Sequence, residues 1–145
     1  MNDYLQLDQQ LCFALYAASR AMTQAYQPLL APLELTYPQY LVMLVLWERD
    51  GLNVKEVGER LLLDSGTLTP LLKRLETAGL ITRRRSPQDE RQVGLWLTDA
   101  GRERRDAARA VPLAMAERLG CETASIGALR DTLMQLVGRL RNEQA

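Results

Sequence analysis

Apolar residues recur with the spacing of a helix through most of the chain. Residues 8–30 are predicted to form the first helix, which Asp8 caps and which Pro28 and Pro32 close. A helix that is apolar nearly all round must be covered on more than one side. In a chain of 145 residues, a partner subunit is the expected second cover. The apolar positions of this helix are Leu11, Cys12, Phe13, Leu15, Tyr16, Ala18, Met22, Ala25, Tyr26 and Leu29.

Three further helices are predicted between residues 36 and 79. Thr36 or Tyr37 caps the first of them, and Pro38 fits its first turn, where a missing N–H costs nothing. Asn53 begins the next helix in capping-box spacing with Glu56. The third helix follows a short link and ends at a glycine, which is the usual residue there. Its apolar stripe consists of Leu68, Leu71, Leu72 and Leu75.

The apolar period then changes from 3.6 residues to 2, which is typical of strands. Leu80 to Arg85 is predicted to form one strand, and Val93, Leu95 and Leu97 alternate in its partner. The polar sequence SPQDERQ between them predicts a hairpin loop with a basic tip. A hairpin that follows three helices in this order indicates a winged helix-turn-helix.

Two more helices are predicted after the hairpin. Thr98 caps a long helix that runs to about Leu119, and a last helix spans roughly residues 123–141. The predicted fold is therefore mainly α (α+β), in one domain that covers the whole chain. Its parts are the winged helix-turn-helix core at residues 36–98 and long N- and C-terminal dimerisation helices at residues 1–35 and 99–145.

Composition excludes several classes of function. The longest unbroken apolar run, Leu41 to Trp47, is too short to span a membrane. The N-terminal segment MNDYLQLDQQ lacks the features of a signal peptide, so the expected location is the cytoplasm. Two distant cysteines there do not form a structural disulfide framework. The chain has no histidine, which excludes a histidine-based triad or metal site, and no cofactor is expected.

The net charge of zero hides an uneven distribution of charge. Residues 1–50 carry five acidic side chains and two basic ones, whereas residues 73–91 carry six basic side chains and three acidic ones. A basic stretch inside a neutral protein indicates a localised polyanion site. Because the stretch coincides with the winged helix, DNA contact is favoured over a solvated charged face.

The fourth helix carries the first group of candidate DNA contacts. It can enter the major groove led by the hydroxyls of Ser65, Thr67 and Thr69, which reach phosphates or base edges. The helix N-terminus itself favours a phosphate. Lys73 and Arg74 lie one or two turns later and suit contacts with the DNA backbone.

The hairpin carries the second group. Arg91 at its tip can enter a minor groove, where narrow A·T-rich tracts attract arginine. Asp89, two residues earlier, can steer Arg91 through an ion pair. Arg83, Arg84 and Arg85 on the first strand are further candidates. The alternative is a solvated strand face, and DNA contact is favoured for the region because charge and topology coincide.

Two segments resemble a known family. The sequence LDSGTLTPLLKRLETAGLITRRRSPQDERQVGLWLTDAGR closely resembles the DNA-binding core of the MarR family of bacterial winged-helix repressors, with its DERQV wing followed by a strand and LT-x-x-G. The earlier sequences QLCFALYAASRAM and LTYPQYLVMLVLWE, with Tyr26 between them, resemble the organic-hydroperoxide-sensing branch, the OhrR type. The resemblance covers residues 8 to about 110.

The resemblance implies a role for each matching residue. Cys12 matches the peroxidatic cysteine, which an organic hydroperoxide oxidises to a sulfenic acid. Tyr26 and Tyr37 match tyrosines that hydrogen-bond that sulfur across the dimer interface, and Tyr16 matches a third tyrosine of the same pocket. Cys121 stands where two-cysteine members place a resolving cysteine, which forms an intersubunit disulfide with the oxidised Cys12.

The same resemblance implies how the chain acts on DNA. Arg91 matches the wing arginine that enters the minor groove, and Asp89 matches its supporting acid. A reduced homodimer is expected to bind double-stranded operator DNA, and oxidation is expected to release it. The chain is expected to be a regulator rather than an enzyme.

Elementary chemistry is compatible with this role. The thiolate is the nucleophile, and phenolic O–H donors favour the charged form of the sulfur. An apolar pocket formed by Phe13, Leu15 and Met22 is hypothesised to prefer organic hydroperoxides to hydrogen peroxide. Two alternatives stay open: a MarR-type repressor released by a small aromatic ligand, with Cys12 as a core residue, and a thiol peroxidase.

Overall fold

The structure, a computed structural model, describes residues 4–89 and 91–142. Within these residues the chain forms seven α-helices and one two-stranded antiparallel sheet. They divide into two units, residues 1–111 and residues 112–145. In chain order the elements are α1 (Leu11–Leu30), α2 (Tyr37–Glu48), α3 (Val54–Leu61), α4 (Ser65–Thr77), β1 (Ile81–Arg85), β2 (Val93–Leu97), α5 (Asp99–Ala108), α6 (Ala110–Leu119) and α7 (Thr123–Asn142).

Helix α1 begins later than predicted and passes through its first proline. Asp8 lies in a short 3-10 turn, and the extended backbone of Gln10 separates that turn from α1. The prediction that Asp8 caps the helix is therefore wrong. Pro28 does not end the helix either, because a proline in the last turn removes one hydrogen bond without stopping the two residues that follow. Pro32 lies in the next 3-10 turn.

The predicted caps of the central helices are confirmed. Thr36 forms a full capping box with Gln39 at the start of α2, and Asn53 does the same with Glu56 at the start of α3. Helix α4 begins at Ser65 as predicted, with the Asp64 carboxylate accepting the backbone N–H of Thr67 at 2.7 Å. Each cap satisfies N–H groups that have no partner inside the helix.

The hairpin pairs as the alternation of its residues predicted. Ile81 lies opposite Leu97, and Arg85 lies opposite Val93. Leu80, predicted as the first strand residue, precedes β1, and its carbonyl accepts the backbone N–H of Thr98 at 3.1 Å. Leu95 and Ile81 point into the core, whereas Thr82, Arg84 and Trp96 lie on the opposite face of the hairpin.

The predicted long helix after Thr98 is two helices. Thr98 caps α5 as expected, with its hydroxyl accepting the Gly101 N–H at 3.1 Å. Helix α5 ends at Ala108, however, and α6 begins at Ala110. Pro112 explains the break, because it has no N–H for the Ala108 carbonyl and its ring clashes with that carbonyl. The last helix, α7, follows Gly120, whose φ of 66° is a left-handed conformation.

The core of residues 1–111 is built around α2. Val42 and Met43 of α2 are fully buried, as are Val57 of α3 and Leu72 of α4. By contrast, all of α1 is described and Leu30 alone is buried in it. No single helix in the described residues is long and apolar enough to cross a membrane; α1 with the turn after it passes that test only when joined to α2 across a 65° bend.

Gly101 allows the first turn of α5 to approach the backbone before β1. A Cβ at this position would lie 2.2 Å from the Leu80 carbonyl oxygen, and the Gly101 carbonyl accepts the Trp47 indole N–H at 2.9 Å. We expect Gly101→Ala to lower the free energy of unfolding by about 1–3 kcal/mol, because backbone atoms must move. Gly66→Ala in α4 is the control, since its Cβ has ordinary contacts. Thermal denaturation of both variants checks this, and equal melting temperatures would contradict it.

Candidate functional site

The two cysteines are exposed and free within the described residues. Cys12 is the second residue of α1, so it lies in the first turn, where free backbone N–H groups favour negative charge. Cys121 follows the end of α6, and its thiol donates to the Leu119 carbonyl at 3.4 Å. The alternative that Cys12 is a core residue does not hold within one chain, because its side chain is exposed there.

Tyr16 lies four residues after Cys12, on the same side of α1. The Arg20 guanidinium carbon lies 5.6 Å from the Tyr16 ring centroid, and its Nη1 donates to the phenol oxygen at 3.5 Å. The two side chains line an open depression of about 270 Å³ together with Phe13, Ala17, Ala21 and Gln24. Leu15 and Met22 were predicted to form a pocket with Phe13, but neither of them lines this depression.

Tyr26 and Tyr37 form an aromatic cluster with a residue that the sequence reasoning missed. Their ring centroids lie 4.7 Å apart, and Tyr40 lies 5.9 Å from Tyr26 and 6.2 Å from Tyr37. Tyr40 stands three residues after Tyr37 on α2, and this helical spacing was the available signal. The cluster continues to Trp47, whose ring lies 6.4 Å from that of Tyr40.

Burial keeps the phenols of this cluster protonated. It raises the pKa of Tyr26 to about 12, and the neighbouring phenols of Tyr37 and Tyr40 add to the rise. Burial also raises the pKa of Tyr37 and, with the charge of Tyr37, the pKa of Tyr40. At neutral pH these side chains are therefore hydrogen-bond donors, which is what a thiolate partner requires.

One chain does not bring the tyrosine cluster to Cys12. Cys12 and Tyr26 lie on the same continuous helix, fourteen positions apart. At a rise of 1.5 Å per residue, this separates them by about 21 Å along the axis. The chain therefore places Tyr16 near Cys12, and it places Tyr26 beside Tyr37 in a separate group.

On α4 the candidate DNA contacts are mostly exposed. Leu68 and Leu72 fasten the helix to the core, while Ser65, Thr67, Lys73 and Arg74 are exposed and Thr69 is half-buried. The hydrogen bonds from Thr67 lower the pKa of the Asp64 carboxyl. This capping carboxylate stabilises the end of the helix that is predicted to enter the groove.

The three arginines of β1 have different surroundings. Arg83 is half-buried, and its Nε lies 3.5 Å from the Glu76 carboxylate of α4. Arg84 points to the opposite face of the sheet, where its guanidinium carbon lies 5.9 Å from the Trp96 ring centroid. Arg85 is exposed near the loop. Arg83 therefore contacts α4 and Arg84 contacts β2, while Arg85 carries an exposed positive charge.

At the hairpin tip, Asp89 organises the backbone of the turn. Its carboxylate accepts the backbone N–H of Arg91 at 3.0 Å, and its carbonyl accepts the N–H of Gln92 at 3.0 Å. No ion pair joins the Asp89 and Arg91 side chains in the part of the chain that is described. Asp89 therefore contacts the backbone of Arg91 in the turn, and the Arg91 side chain is exposed.

Two bacterial regulators resemble the chain in sequence. It is 53% identical over 135 residues to the HTH-type transcriptional regulator TtmR of Methylorubrum extorquens (strain PA1), across 93% of this chain and 69% of that protein. It is 56% identical over 110 residues to the organic hydroperoxide resistance transcriptional regulator of Bacillus subtilis (strain 168), across 76% of this chain and 75% of that protein.

The regulator AbfR of Staphylococcus epidermidis resembles the chain in structure. Reduced AbfR bound to DNA superimposes with a TM-score of 0.83 at 35% identity, covering 96% of this chain and 95% of that chain. Disulfide-formed AbfR gives a TM-score of 0.65 at 38% identity, covering 90% of this chain and 92% of that chain.

The helical fold with its hairpin wing and basic surface defines a class of protein, the winged-helix transcriptional regulators. Residues 24–108 match the family model described as transcriptional regulator SarA/Rot. The chain belongs to this family, and the prediction of a MarR-type winged-helix regulator of the organic-hydroperoxide branch is confirmed. The predicted mainly α fold is confirmed with it.

The raised pKa of Tyr26 predicts a late ionisation at high pH. Because the folded pKa of about 12 exceeds the ordinary value of 10.0, the folded state favours the protonated phenol. That stabilisation is fully present below pH 10 and is lost as pH rises through 12. Absorbance at 295 nm, titrated for the wild type and for Tyr26→Phe, should differ by a step near pH 12. A difference step centred at pH 10 would contradict the buried, clustered phenol.

Proposed function

We propose that this chain is a redox-sensing transcriptional repressor. It binds operator DNA as a homodimer when Cys12 is reduced, and it leaves the DNA when an organic hydroperoxide oxidises Cys12. The observation that carries the proposal is the exposed Cys12 in the first turn of an uncovered apolar helix, in a chain 56% identical to an organic hydroperoxide resistance regulator. Such a regulator acts where the chromosome lies, which is the cytoplasm.

A homodimer follows from the surface of α1. Leu11, Phe13 and Tyr16 are exposed in the isolated chain, at 62%, 43% and 60% of their surface, although the helix is apolar. Water-exposed apolar side chains on this scale mark an interaction surface. A two-fold axis that sets α1 against its copy covers both helices with one contact.

The same dimer supplies the hydrogen-bond donors that one chain lacks near Cys12. When two copies of α1 run antiparallel, the Tyr26 end of one helix faces the Cys12 end of the other. The separation of about 21 Å within a chain then becomes a contact between chains. Tyr26 and Tyr37 of the second copy, protonated at neutral pH, donate to the Cys12 sulfur, and Tyr16 completes the pocket from the same chain as Cys12.

The proposed reaction is a two-electron oxidation of sulfur. The Cys12 thiolate attacks the terminal oxygen of the hydroperoxide, the O–O bond breaks, and the leaving alkoxide takes a proton to become an alcohol. Cys12 is left as a sulfenic acid. The Cys121 thiol of the second copy then attacks this sulfur, forming a disulfide and releasing water. Because no further turnover is required, we propose a sensor and not an enzyme.

Disulfide formation is proposed to break the geometry that DNA requires. The recognition helices of a dimer must lie about 34 Å apart, one turn of the duplex, to enter successive major grooves. A disulfide requires its two Cα atoms to lie within about 7 Å. Bringing Cys12 and Cys121 together rearranges the dimerisation helices and separates α4 and Arg91 from their grooves. The structure of disulfide-formed AbfR, a relative that is also known bound to DNA in its reduced form, supports a disulfide of this kind.

On the DNA, α4 is proposed to enter the major groove and the hairpin to reach the minor groove. Ser65, Thr67 and Thr69 lead α4, and Lys73 and Arg74 contact phosphates. Arg91, held by the Asp89 turn, enters the minor groove, with Arg83, Arg84 and Arg85 contributing charge behind it.

A second candidate function is a repressor released by a small aromatic ligand, with Cys12 as a packing residue. A cavity of about 350 Å³ favours it, lined by Leu46, Trp47, Asp50, Leu97, Arg102, Arg105 and Asp106. The redox proposal is preferred because Cys12 is exposed in the chain and so is not the packing residue that this alternative requires.

DNA binding before and after oxidation separates these functions. A gel shift uses the reduced protein on its own promoter region, followed by a near-stoichiometric organic hydroperoxide. We expect the wild type to be released and Cys12→Ser to stay bound, because serine is not oxidised. The Cys121→Ser protein should also leave the DNA in oxidant. When a thiol reductant is then added, its return to the DNA should differ from that of the wild type, because it has no disulfide to reduce. A wild type that stays bound in oxidant would reject the redox proposal in favour of the ligand.

A further inference from the structure

The hairpin is fastened along the edge that faces away from β1. The Gly51 N–H donates to the Leu95 carbonyl at 3.0 Å, and the Leu95 N–H donates to the Leu52 carbonyl at 2.8 Å. Asn53 forms a bridge with Gly94. The short segment after α2 therefore acts as a third strand beside β2, although it is too short to be counted as one.

Asp50 extends this pairing with its side chain. Its Oδ1 accepts the N–H of Leu97, the last residue of β2, at 2.8 Å and the N–H of Gly51 at 3.0 Å. Leu95 and Leu97 present their N–H groups on the same edge of the strand, two residues apart. The Asp50 carboxylate thus takes the place of the next backbone carbonyl along that edge.

Three further contacts meet at the same point. Asp50 Oδ2 lies 3.9 Å from Arg102 Nη1, and the same guanidinium group donates to the Leu97 carbonyl at 3.0 Å. The Trp96 ring covers Gly51 so closely that a Cβ there would lie 2.6 Å from it, and Gly51 has a φ of +77°. Only glycine combines this conformation with this contact.

We propose that Asp50 is a positioning residue for DNA binding, which ties the wing to the end of α2. Its carboxylate acts as a hydrogen-bond acceptor, and the charge facing Arg102 is secondary because that pair is long and exposed. Without the acceptor, the Leu97 N–H loses its partner, β2 loosens from α2, and Arg91 at the far end of the hairpin is no longer held in place. The inference rests on the proposed function, in which the wing contacts operator DNA.

The test uses the reduced, full-length dimer on a duplex of its own promoter region. We expect Asp50→Ala to weaken binding about tenfold, equivalent to about 1.4 kcal/mol. Asp50→Asn keeps an acceptor oxygen and should bind within about twofold of the wild type, because it loses only the weak ion pair. Asp106→Ala is the matched control, since it removes an acid beside the same cavity. Removal of a negative charge by itself favours binding to a polyanion such as DNA. Weaker DNA binding by Asp50→Ala would therefore not be an effect of charge.

A double-mutant cycle distinguishes positioning from general destabilisation. If Asp50 acts through the wing, Asp50→Ala adds little to the loss already caused by Arg91→Ala, because the wing contact is gone in both. Fully additive losses would overturn the proposal. It is overturned equally if Asp50→Ala binds like Asp106→Ala, or if Asp50→Asn loses as much affinity as Asp50→Ala.

Amide hydrogen exchange of the free protein tests the tether without DNA. In Asp50→Ala, the amides of Leu97 and Leu95 should exchange faster than in the wild type, whereas those of the core helix α2 should not change. Unchanged exchange of β2 in this variant overturns the inference even if the protein binds no DNA at all. Failure of the wild type to bind its promoter would instead reject the proposed function, so the two failures are distinguishable.

Discussion

One rigid helix keeps the thiol and the phenols of this protein apart. Cys12 stands in the first turn of α1 and Tyr26 in its last two turns, and no bend of an unbroken helix can close a gap of about 21 Å. The apolar surface around Cys12 is uncovered in the same chain, since Leu11 and Phe13 face water. In the proposed dimer, a second, antiparallel copy resolves both problems, because it covers the surface and supplies the phenols. In this account the sensor exists only in the dimer, so assembly and chemistry depend on one contact.

Helix α2 connects the sensing side of the fold to the DNA-binding side. Tyr37 and Tyr40 lie at its start, and Trp47 near its end donates to the backbone of α5. Between them, Val42 and Met43 are fully buried. Packed interiors have few voids, so a displacement at one end of such a helix is transmitted and not absorbed. At the other end of α2, the segment that follows it pairs with β2 at the base of the wing.

Local signals in the sequence predicted most of the fold, whereas contacts between elements were harder to predict. Asn53 was identified as a cap because a capping box is complete within four residues, and Pro38 in the first turn narrowed the other cap to Thr36 or Tyr37, of which Thr36 caps α2. Asp8 failed as a cap because the backbone turns before the helix begins, and Pro112 breaks a helix whose apolar pattern runs on. Tyr40 was missed, since its neighbours come from two helices. The assignment of Cys12, Tyr26 and Tyr37 to one site came from the family resemblance, because no pattern within one chain brings them together.

The most direct test of a site shared between subunits is a mixed dimer. One subunit carries Cys12→Ser, and the other keeps Cys12 but carries Tyr26→Phe and Tyr37→Phe. If the phenols act across the interface, the mixed dimer contains one complete site, and half of its sites react with organic hydroperoxide at the wild-type rate. The homodimer with both tyrosine substitutions should react slowly, because its thiols lack donors. A mixed dimer as slow as that homodimer would place the tyrosines and the cysteine in the same chain and contradict the account.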